Sequence, residues 1–117
     1  MSGRILKNMI EVRQGDSFSI CFNIHKEDEL VRLDNAVIKM QVVDENGQIL
    51  LSKTAFTVEE ILGRAVIELT PEDTANMEVG DYKTDIEIRF ENGEVHTIFP
   101  SEVEKTATFR VTEQITR

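Results

Sequence analysis

Three side chains in this sequence are of the kinds that most often do chemistry: Cys21, His25 and His96. A metal centre or an activated nucleophile would need at least two of them together, with a third group to orient the pair. His25 and His96 stand 71 positions apart. Only a cross-sheet arrangement would join them, and ordinary surface histidines are the expected reading. Cys21 and His25 share one face of an extended run, which places them about 13 Å apart, beyond proton-transfer reach. Cys21 is read as a passive thiol tucked beneath a loop. No Cys-X-X-Cys, His-Glu-X-X-His, Gly-X-Ser-X-Gly or phosphate-loop string occurs.

The acids are numerous but not arranged. Glu27, Asp28 and Glu29 form one cluster, and Asp44 and Glu45 precede Asn46 and Gly47 in another. Hard cations want several spaced oxygens, as in a 12-residue calcium loop, and neither cluster has that spacing. Both read as solvated turns. No pair of carboxylates is singled out for glycoside hydrolysis. The sequence therefore predicts no catalytic residue, no cofactor-binding residue, no metal ligand and no cofactor: a protein that is not an enzyme.

Charge narrows the partners. Thirteen Lys and Arg against 22 Asp and Glu leave a formal charge of −9. Nucleic acids and anionic membranes are bound by neutralising phosphates, so neither is an expected partner. With 117 residues the chain makes about one domain, large enough for a core without disulfides or metals. A single cysteine rules out an internal disulfide. The opening MSGRILKNMIEV lacks the apolar run of a secretory signal, and nothing nears the roughly 18 apolar residues of a membrane helix. Folding in a reducing cytoplasm is the simplest expectation.

The elements that must position any site read as strands. Residues 17–24 alternate, with Phe18, Ile20, Phe22 and Ile24 on one face and Ser17, Ser19, Cys21 and Asn23 on the other. A half-buried strand produces this pattern because successive side chains point to opposite sides. Residues 37–43 repeat it, an Asn46-Gly47 turn follows, and residues 48–56 run back as the second arm of a hairpin. Further strands are expected at 9–13, 64–69, 82–90, 94–99 and 107–111, with Asn92-Gly93 as a second hairpin turn. Helical pattern is scarce. Residues 57–62 could form one turn, which Gly63 would end.

Residues 68–88, ELTPEDTANMEVGDYKTDIEI, hold the other helical candidate. Thr70 can cap a first turn, Pro71 suits the first helical position, and Glu72 and Asp73 favour the positive end of the dipole. Gly80 can then turn the chain back into a strand. The corner is expected to cross from one sheet to the other. Tyr82 sits where immunoglobulin-like sandwiches often place a tyrosine whose hydroxyl bonds back to nearby backbone. The string PEDTA is similar to the corner of antibody variable domains, although Tyr82 follows Ala75 by seven positions and no cysteine pair exists.

These signals predict an all-β, two-layer immunoglobulin-like β-sandwich of about 7–9 antiparallel strands, with a short helical corner near 71–77. Residues 1–8, with Ile5 and Leu6, are read as a flexible N-terminal arm, 9–112 as one sandwich domain and 113–117 as a C-terminal tail.

The order RQGDSFS at 13–19, LDNAVIKMQV at 33–42, LTPEDTANMEVGDYKTDIEI at 69–88 and TFRVTEQITR at 108–117 resembles a phage family. It comprises small phage and prophage proteins typified by the N-terminal immunoglobulin-like domain of siphophage upper baseplate proteins. The resemblance implies a non-enzymatic virion structural or assembly protein of the tail or baseplate, built in the bacterial host cytoplasm. Its implied partners are other phage structural proteins, with self-association into a homo-oligomer left open. The alternative is a ligand- or carbohydrate-binding sandwich for host-surface attachment. Such a module calls for exposed aromatics in its loops, and residues 26–33, 76–81 and 100–105 contain none.

Overall fold

The computed structural model describes all of the chain except residues 1–2, 27–28, 31–32, 34, 60–62, 101–105 and 116–117. For residues 25–26, 29–30 and 57–59 it describes the backbone alone. In chain order the strands are β1 (Gly3–Leu6), β2 (Met9–Arg13), β3 (Phe18–Asn23), β4 (His25–Lys26), β5 (Glu29–Leu30) and β6 (Val37–Val43). They continue with β7 (Ile49–Thr54), β8 (Phe56–Glu59) and β9 (Arg64–Leu69). The helix α1 (Pro71–Ala75) then leads into β10 (Gly80–Arg89), β11 (Val95–Phe99) and β12 (Ala107–Thr112).

Two sheets face each other across an aliphatic core, so the predicted all-β sandwich is the fold. The larger sheet runs β1-β2-β12-β10-β6-β7, and β11 also pairs with β10. The smaller runs β3-β9-β8, and β4 and β5 form a separate hairpin. From the larger sheet Ile10, Val12, Met40, Val42, Ile88 and Phe109 point inward, and from the smaller Ile20, Ala65, Ile67 and Leu69 meet them. Each of these side chains larger than Ala65 contributes roughly 1.5–3 kcal/mol of transfer free energy when withdrawn from water. Thr84 is the polar exception in β10, and its hydroxyl donates to the Gln41 carbonyl at 2.7 Å. Among the described residues no buried side-chain nitrogen or oxygen lacks a hydrogen-bond partner.

The structure departs from the sequence reading in several places. The expected N-terminal arm is in part a strand, because β1 folds back on β2 with Ile5 opposite Ile10 and Arg4 opposite Glu11. The Arg4 guanidinium donates to the Glu11 carboxylate at 2.8 Å. The sandwich is not wholly antiparallel either, since β12 pairs with β2 in parallel, Phe109 beside Ile10 and Val111 beside Val12. Alternation shows which face a residue takes, not the direction of its neighbour.

The expected strand over 48–56 breaks at Ala55. Val42 lies opposite Leu51 in the larger sheet, whereas Phe56 lies opposite Val66 in the smaller, so the chain changes layers between them. The helical turn expected over 57–62 is strand through Glu59, and the rest of it lies outside the described residues.

Both hairpin turns also differ from a two-residue Asn-Gly turn. Gly47 takes φ 81° and Gly93 φ 93°, while Asn46 and Asn92 keep ordinary negative φ. Gly47 donates to the Asp44 carbonyl and Gly93 to the Phe90 carbonyl, at 3.0 and 2.9 Å. Each is therefore a three-residue loop with a left-handed glycine in its last position. The shared string Glu-Asn-Gly makes the same turn twice.

Gly3 has a different role. A Cβ there would lie 2.7 Å from the Glu11 carbonyl oxygen and 3.0 Å from Cδ1 of Phe18. The carbonyl belongs to the paired strand and cannot step aside. Gly3→Ala is expected to lift β1 and raise hydrogen exchange at the Arg4 and Leu6 amides, which face β2, about tenfold or more, leaving β10 protection intact. Unchanged exchange in β1 would contradict the close approach.

Candidate functional site

Of the three side chains suited to chemistry, the structure describes two, Cys21 on β3 and His96 on β11. His25 lies in β4, where the backbone alone is described. His96 lies in β11 with an exposed side chain, its Nε2 3.3 Å from Oε2 of Glu94. Its ring meets Phe90 edge-on, with centroids 6.0 Å apart. Cys21 is exposed on β3, not tucked beneath a loop, because the strand's inward positions are taken by Phe18, Ile20 and Phe22. Of the acidic clusters, Glu27 and Asp28 lie outside the described residues. Asp44 serves its own turn: its Oδ1 accepts from the backbone of Asn46 and of Gln48, each at 2.9 Å. No group of three or more His, Cys, Asp or Glu placed to hold a metal occurs among the described residues.

What the structure does assemble is a corner. Thr70 precedes α1, and its backbone N–H donates to the Asp73 carboxylate at 2.7 Å, so the acid reaches back across the first turn. Lys53 of β7 approaches the same carboxylate at 2.9 Å. Thr74 is fully buried, and its hydroxyl accepts the N–H of Gly15 at 2.9 Å. Gln14 beside it donates its amide to the Met77 carbonyl at 2.6 Å. Beyond the helix, the Tyr82 hydroxyl donates to the Glu78 carbonyl at 2.6 Å. Burial, and next the nearby Glu78 charge, raise the phenol above its ordinary pKa, which keeps the donating proton in place. The bond expected of a tyrosine beyond this corner is present.

The electrostatics of Asp73 give a pH dependence. Burial works to raise its pKa, but the hydrogen bonds from Thr70 and Lys53, together with the lysine charge, outweigh that and lower it. A depressed folded-state pKa stabilises the fold above the unfolded carboxylate value near 4, and the contribution fades as pH falls through the folded value. Asp85 acts in the opposite sense, raised first by burial and then by Glu87. Comparing wild type with Asp73→Asn therefore isolates Asp73. The variant is expected to lose about 1 kcal/mol at pH 7, with the gap closing as pH falls below the ordinary carboxylate value. A gap independent of pH in urea titrations would refute this account.

Two surfaces could meet other molecules. The outer face of the larger sheet carries a row of alternating charge, Arg4, Glu11, Arg110 and Asp81, on four successive strands. Arg110 grips Asp81 with two bonds of 2.7 and 3.0 Å, and those hydrogen bonds hold the carboxyl below its usual range. The second surface is a cleft of about 380 Å³ that sequence reasoning missed. Ile5 of β1, Cys21 and Phe22 of β3, Ile86 of β10, and Ile98 and Phe99 of β11 line it. Its described lining holds no carboxylate, histidine, lysine or arginine, so it offers shape and apolar contact rather than acid–base chemistry. Its one legible signal was Ile5, an isoleucine left without a strand in the sequence reading.

No family model and no curated protein matches the chain. Among solved structures it is similar to the N-terminal domain of phage TP901-1 ORF48, with TM-score 0.52 and 16% identity. That likeness covers 90% of this chain and 83% of that one. The fold is one that a phage protein uses. It is also similar to CopC from Methylosinus trichosporium OB3b, with TM-score 0.50 and 11% identity, over 92% of this chain and 86% of that one. Two proteins so differently described share the sandwich, so the fold by itself does not select a function.

Proposed function

We propose that this chain is a structural or assembly protein of a phage or prophage particle, placed in the tail or baseplate, working by contact and not by catalysis. The observation that carries the reading is the likeness to the phage TP901-1 ORF48 domain over 90% of the chain. The order of strand and turn signals, which resembles that of small phage and prophage proteins, points the same way. The surface is consistent with contacts at sheet edges. Ile5 and Leu6 on β1, Ile49 and Leu50 on β7 and Phe56 on β8 are large apolar side chains left exposed on strands that end their sheets. Open edges of this kind accept neighbouring chains. The partners are other structural proteins of the same particle, with further copies of this chain among them. Nucleic acid is disfavoured by the charge of −9. No helix among the described residues is long and apolar enough to cross a membrane.

The test is composition of the particle. An antibody against this chain should detect it in density-purified particles made by the genome that encodes it, and its removal should leave particles without a complete tail. Intact, infectious particles lacking the chain would overturn the reading.

A further inference from the structure

We draw no further inference here: the strongest candidate, the apolar cleft between the free edge of β3 and strands β1 and β11, carries nothing because nothing in the structure shows what covers it.

Discussion

Phe109→Ala is expected to destabilise the protein by about 3–5 kcal/mol, enough to unfold much of the population at 37 °C if the total lies near the low end of the usual 5–15 kcal/mol. Phe109 is completely buried on β12, the strand that joins β2 to β10. It stands between Ile10 on the parallel side and Tyr82 on the antiparallel side. Truncation removes the favourable transfer of the ring and leaves a void that these strands cannot close without breaking two ladders. Phe109→Leu keeps most of the volume and is expected to cost far less. Urea denaturation of the three proteins checks the prediction. An alanine variant within 1 kcal/mol of wild type would mean that the core does not close around this ring.

Thr74→Val should cost about 1–3 kcal/mol, because a part-buried donor is left without its acceptor. Valine matches threonine in shape, so packing is nearly preserved and the hydroxyl alone is removed. The Gly15 N–H, which the Thr74 hydroxyl accepts at 2.9 Å, is then unpaired. The effect is directional, because this bond joins the turn after β2 to the helical corner 59 positions later. Thr74→Ser retains the hydroxyl and is expected to recover most of the loss. Thermal unfolding should show the valine variant lower by roughly 5–15 °C, with serine close to wild type. Equal losses for serine and valine would show that the methyl group, not the hydrogen bond, matters here.

The corner was the most legible part of the molecule because its signals are local. Pro71 stands at the first helical position, and Asp73 and Tyr82 bond to residues within a few positions, Asp73 accepting from the Thr70 N–H. The Tyr82 to Glu78 bond spans four residues. The strands from Val37 to Val43 and from Arg64 to Leu69 were equally plain, since a half-buried strand repeats every two residues whatever it pairs with. From those patterns alone the sequence determined a sandwich with an aliphatic core.

Tertiary structure decided what depends on partners distant in the chain. Arg4, Ile5 and Leu6 have no alternation of their own, and they become a strand because Glu11 and Ile10 lie opposite them in a hairpin. The parallel union of β2 with β12 brings together residues about a hundred positions apart, and no local pattern encodes its direction. Ala55 marks a change of sheet only because Val66 is available to pair with Phe56. The apolar cleft needs β1, β3 and β11 at once, so none of the three strands shows it separately. Period and turn chemistry act within a few residues and survive in the sequence. Pairing direction, layer changes and clefts arise from long-range packing, and only the folded chain reveals them.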